Sequence, residues 1–233
     1  MKQATVLLVL FCLPPAFAED PPKPTDADAK SKIDAISEAV KVGDAAAIKE
    51  AIKSAGDCPH LKVIVALQGI LLSGNPDDWR VAAAAALGRM KDNGDAADAL
   101  NATIPKTASN IQVFRGVCSA IQEQGHRSSI AALLAFARGR VSKHEKEDLD
   151  AIDAAIDAMA AISSKSSAEA VLDIWHKCKF SGRDPHQNFK EKVAQSCRAA
   201  MRRLTGEKLG DFAEWDDWWE HEKGKLNDDL SRK

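Results

Sequence analysis

Four groups of residues carry side chains whose types could do chemistry. His176, Cys178, His186 and Cys197 are all metal-ligand types. Their order is His-x-Cys, then a separate His and a separate Cys. It lacks the paired close spacing of structural zinc modules. A surface histidine at a helix end, where partial positive charge is favoured, accounts for His176. Asp92, Asn93 and Asp95 beside Gly94 supply oxygens of the kind calcium prefers. The EF-hand pattern, however, alternates its ligands before the glycine and closes on a distant Glu. A turn followed by a helix N-cap at Asp95 explains the same residues. Arg138, Arg140, Lys143, His144 and Lys146 form a basic run suited to phosphate or an acidic partner. Glu145, Glu147 and Asp148 cancel that charge locally, as in a solvated loop. Trp215, Trp218 and Trp219 share one helical face through their i, i+3, i+4 spacing. Such a face serves either as an aromatic platform for carbohydrate or peptide, or as the seal over an apolar core end.

Local catalytic signatures are absent from the sequence. It has no G-x-S-x-G, no H-E-x-x-H, no phosphate loop and no C-x-x-C-H. His144-Glu145 lacks the second histidine of a zinc protease. A triad assembled from distant residues leaves no local pattern. Asn101-Ala102-Thr103 is a glycosylation sequon. The expectation is a chain with no catalytic residues, no metal and no cofactor, and therefore not an enzyme.

The elements that must position these residues begin behind an export address. Lys2 precedes an apolar stretch from about Ala4 to Leu13, and Ala16 and Ala18 form an A-x-A pattern before Glu19. This is the layout of a signal peptide over 1–18, cleaved after Ala18. The apolar stretch is shorter than the ~20 residues needed to span a bilayer. No later stretch is long enough to be an anchor, so no membrane insertion is expected after cleavage. Removing residues 1–18 takes away one lysine and no acid, moving the formal charge from -2 to -3. Such near balance provides no global field for nucleic acid. The expected location is secreted or periplasmic. Cys58, Cys118, Cys178 and Cys197 then remain, an even number that fits either two disulfides or buried free thiols.

Residues 19–32, EDPPKPTDADAKSK, have almost no large apolar side chain and read as a disordered tether. From Ile33 the apolar residues recur at helical spacing. Examples are Trp79, Ala83, Ala86, Leu87 and Met90; Ile111, Phe114, Cys118 and Ile121; and Phe189, Val193, Cys197, Ala200 and Leu204. The β-like Val63-Ile64-Val65 sits inside a longer apolar segment that reads as a buried helix. Asn75-Pro76 and Asp184-Pro185 read as cap-plus-proline helix starts. Ser166 with Glu169, and Asp211 with Glu214, have capping-box spacing. Gly74, Gly125 and Gly206 stand where helices should end. There is no tyrosine and little aromatic content, unlike a sheet-rich chain.

GDAADALNATI from Gly94, HRSSIAALLAFA from His126 and SSAEAVLDIWHK from Ser166 look alike, and each follows a helix end. Their starts lie 32 and 40 residues apart, and two helices per unit at such a period mark stacked helical repeats. RVAAAAALGRMKDNGDAADAL resembles a HEAT-type repeat junction, and LTGEKLGDFAEWDDWWEHEK resembles the terminal segment of exported bacterial HEAT-repeat proteins. The resemblance spans roughly residues 59–223. The repeats are unequal in length, and ARGRVSKHEKED is an unusually long, charged connection. The resemblance implies an all-α fold: an α-solenoid of stacked antiparallel helix pairs over 33–224, closed by a Trp-rich capping helix. A polar tail follows at 225–233. It also implies a non-enzymatic scaffold for a protein partner, with the second helix of each pair lining the inner surface. Arg80, Arg89, Arg115 and Arg202 would then face that partner. Two other readings fit the same chain. One is an extracytoplasmic enzyme or accessory subunit with a site between helices. The other is a self-associating structural envelope protein.

Overall fold

The computed structural model describes residues 23–179 and 183–233. The signal peptide expected over 1–18, and residues 19–22 of the expected tether, lie outside the described residues. The described residues are all-α, with eleven α-helices and no strands. In chain order they are α1 (Asp26–Val42), α2 (Ala45–Ala55), α3 (Leu61–Leu72), α4 (Asp77–Gly88), α5 (Gly94–Thr107), α6 (Ile111–Gln124), α7 (Ser128–Val141), α8 (Leu149–Ala161), α9 (Lys165–Lys177), α10 (Gln187–Thr205) and α11 (Phe212–Glu222). None is long and apolar enough to cross a membrane.

Short polar residues start these helices by accepting backbone N–H groups that have no partner within the helix. Asp44, Asn93, Asn110 and Asp211 do so for α2, α5, α6 and α11. Gly125 and Gly206 end α6 and α10 with φ of +70° and +77°, as their spacing predicts. Gly74 does not, because α3 already ends at Ser73 in extended backbone. Three helix starts differ from expectation. Pro76 is itself the N-cap of α4, one residue outside the helix. Ser164, not Ser166, caps α9. Asp184 lies two residues before the His186 N-cap of α10 and accepts the His186 N–H.

The expected tether also needs correction at its C-terminal part. Residues 26–32 are the first turns of α1, nucleated by a capping box between Thr25 and Asp28. Local capping offsets ordering entropy that low hydrophobicity alone would leave uncompensated. At the other end, the polar tail folds back. Leu226 is buried and bridges to Arg232, and the Asp228 carbonyl accepts the Lys165 N–H at the start of α9.

The odd-numbered helices pack on one another in succession, α1 on α3 and onward to α9, with α11 on α9. The even-numbered helices do the same from α2 to α10. Each odd helix also packs on the even helix that follows it, from α1 on α2 to α9 on α10. Between these two series runs one continuous apolar cluster, from Ala29 and Ile36 through Leu67, Leu87, Phe114, Ile152 and Trp175 to Met201 and Trp215. Alanine keeps the even helices close: Ala83, Ala84 and Ala86 on α4 and Ala151, Ala155 and Ala158 on α8 are all buried. At Gly88 the approach is tightest, because a Cβ there would stand 2.7 Å from the Ala120 carbonyl oxygen of α6.

Candidate functional site

The four arginines expected at a partner surface are spread over α4, α6 and α10, and each is held within the chain. Arg80 donates to the Leu71 carbonyl at 2.9 Å and pairs with Asp77, tying α4 to the end of α3. Arg89 reaches the Lys53 carbonyl and Asp57, tying the end of α4 to that of α2. Arg115 pairs with Asp150 on α8 at 3.2 Å. Arg202 donates to the Leu209 carbonyl, bracing the turn into α11. Three of the four therefore fasten a helix to another helix, and the fourth fastens a helix to its own exit turn. No shared patch of free arginines results.

Arg115 nevertheless belongs to a polar strip that sequence inspection did not single out. Asp150, Asp153 and Asp157 occupy one face of α8 at i, i+3, i+7 spacing. They meet Arg115 of α6 on one side, and Ser196 and Arg203 of α10 on the other. A groove of about 230 Å³ lies along this face, between α6 and α8. The Arg115–Asp150 and Arg203–Asp157 pairs have side chains more than half exposed. Asp153 is more enclosed. Burial pushes its carboxyl above the usual carboxylate range, while the 2.6 Å hydrogen bond from the Ser196 hydroxyl opposes the rise. Asp157 and Asp150 raise it further, and Arg115 lowers it.

The C-terminal tryptophans are a contact chain rather than an open platform. Trp215 meets Trp218 edge-on at 5.8 Å, and Trp218 lies 6.3 Å from Trp219. Trp215 and Trp219 are buried, and Trp218 is partly so. Beside them, α9, α10 and the start of α11 enclose a cleft of about 530 Å³. Its aromatic corner is Trp175 against Phe212, edge-to-face at 5.6 Å.

The remaining candidates disperse. His176 stands edge-on to Phe212, whereas His186 stacks on His144 at 4.2 Å, so the two histidines of that set have different surroundings. Among the described residues no group of three or more His, Cys, Asp or Glu is placed to hold a metal ion. Cys58, Cys118, Cys178 and Cys197 are free and buried, which selects thiols over disulfides in this structure. Burial pushes the Cys118 and Cys178 thiols up to about 12, and Cys197 well above its ordinary value. Asn93, not Asp95, caps α5, and Asp92 adopts a left-handed φ of +56° in the preceding turn. In the basic run, Arg140 pairs with the buried Asp148 at 2.7 Å and Arg138 pairs with Asp173. The two arginines of the run are therefore held by carboxylates of the chain itself. The sequon lies inside α5, where Thr103 is fully buried and bonds to the Leu100 carbonyl.

No family model and no curated protein matches this chain.

Proposed function

We propose that this is an exported HEAT-like α-solenoid of stacked antiparallel helix pairs that serves as a non-enzymatic binding module for a protein partner. Support for the repeat architecture comes from the two contact series and from the links within them. Lys49 near the start of α2 pairs with Asp78 at the start of α4, and Asn110 at the start of α6 donates to Asp77. Lys32 in the first half of α1 instead reaches Ser54 near the end of α2. These links favour a common direction for α2, α4 and α6 and an opposed one for α1 and α2, as the repeat reading requires. In this reading α11 closes the odd series, with Trp215 and Trp219 as the sealing side chains.

The observation that carries the binding role is the strip on α8. Three carboxylates face two arginines there, leaving a local excess of negative charge on this strip of the even series, the face expected to contact a partner. Exposed ion pairs contribute only about 0–1 kcal/mol each. A basic extended segment can therefore displace Arg115 and Arg203 at small cost and gain Asp150 and Asp157 in exchange.

The test uses the chain starting at Glu19 as bait against the exported fraction of its source, alongside a D150N/D157N variant of matched melting temperature. A saturable protein retained by the parent, released by added salt, and lost from the variant is the expected result. Equal retention by both chains, or no retention at concentrations that trap a complex of about micromolar Kd, overturns the proposal.

A further inference from the structure

We propose that the cleft between α9, α10 and α11 is a binding site for a small monocarboxylate with an aromatic or apolar body. The site is separate from the α8 strip and does not depend on it. It exists because α11 packs on α9 and leaves the outer face of α10 without a following even helix. Two cations line it, and neither reaches a carboxylate within ion-pair distance among the described residues. Arg80, Arg89, Arg115, Arg138, Arg140 and Arg203 all do. The Arg198 guanidinium instead sits over the Trp175 ring at 5.8 Å, and its Nε is buried with no hydrogen-bond partner. The Lys179 ammonium sits over the Phe212 ring at 4.0 Å. Aromatic faces hold both cations in place without neutralising them. A buried guanidinium N–H without an acceptor is costly to leave unmade, and an incoming oxygen satisfies it.

The remaining lining decides which anion fits. Glu191 and Asp211 also face the cleft, so its lining carries two cations and two carboxylates. Asp211 is committed to capping α11, where it accepts the Glu214 N–H. Overall neutrality disfavours a dianion such as a phosphate monoester. It suits one carboxylate bridging Arg198 and Lys179, with the guanidinium fork taking both oxygens. The Trp175–Phe212 corner then receives a flat or apolar body. The volume falls within the ~300–1,000 Å³ typical of small-ligand sites.

The experiment is an NMR titration of the chain starting at Glu19. It follows the Trp175 indole N–H (assigned with W175F) and the Arg198 Nε–H. The probes are N-acetyl-L-phenylalanine, its neutral amide, and phenyl phosphate. Expected is a saturable shift of both signals with the carboxylate, at about millimolar Kd. The amide and phenyl phosphate should bind at least about tenfold more weakly. R198Q should lose about tenfold in affinity, and R127Q, which alters an exposed pair with Asp228 away from the cleft, should bind as the parent does. If R198Q does not fold, K179Q takes its place with the same expectation. Equal binding of acid and amide, phenyl phosphate binding as tightly as the acid, parental affinity in R198Q or K179Q, or no saturable shift by about 20 mM each overturns the proposal.

Discussion

Two glycine-to-alanine substitutions should move stability in opposite directions, although each sits in an α-helix. Alanine is favoured over glycine inside a helix by about 1 kcal/mol, mainly through chain entropy. At Gly69 in α3 a new Cβ meets nothing within 4 Å, so G69A should realise most of that gain. At Gly88 the same Cβ would lie 2.7 Å from the Ala120 oxygen and 2.8 Å from its Cα. Those atoms are backbone of α6 and cannot swing aside, so α4 and α6 must separate. Overpacking of this kind costs about 1–3 kcal/mol and outweighs the entropy gain. The two variants should therefore straddle the parent and differ by about 2 kcal/mol, roughly 4–8 °C in Tm for a chain of this size. Thermal unfolding by circular dichroism, repeated as urea titration, measures both. A G88A variant as stable as G69A would refute the close α4–α6 contact on which the even series depends.

Further outcomes follow from single features. W215A should cost about 3–5 kcal/mol, because the side chain is fully buried beneath α11; a loss under about 1 kcal/mol in urea unfolding would remove α11 from the core. N93A should cost about 1 kcal/mol by deleting the α5 cap that accepts the Ala96 N–H, and an unchanged urea midpoint would contradict that role. Burial first, then the stacked His186 and nearby Lys190, hold His144 below its ordinary value, with Asp184 opposing. The unfolded chain therefore takes up this proton first, and stability should fall as pH drops through about 6.5 toward the lower folded value. H144N should flatten that slope between about pH 7 and 5, and identical slopes would refute the coupling. Cys118, Cys178 and Cys197 should resist a thiol reagent at about pH 8 in the native chain and react once unfolded, since thiolate is the reactive form. Prompt native labelling of any of the three would contradict their burial.

The sequence by itself determined the helices and the all-α class. Apolar spacing of the Phe189–Val193–Cys197–Ala200–Leu204 kind identifies a helix and its buried face without reference to the rest of the chain. Glycine at 125 and 206 terminates helices through backbone sterics that are equally local. Capping was legible only in part. Thr25 and Asp28 stood in a stretch whose composition argued for disorder, and Ser164 caps α9 where the Ser166–Glu169 spacing had pointed to Ser166. The α8 carboxylates had a readable spacing, but nothing in sequence said that Arg115, Ser196 and Arg203 would flank them, since those contacts span up to 46 residues. Tertiary structure alone decided the fate of the four arginines, the different surroundings of His176 and His186, and the free state of the cysteines. It alone placed Lys179 and Arg198 on one cleft as well. Helical periodicity fixes which face of a helix is apolar, whereas partner choice among polar side chains depends on which helices become neighbours. That choice is set by the packing of small residues such as Gly88 against Ala120, across distances along the chain that no local pattern encodes.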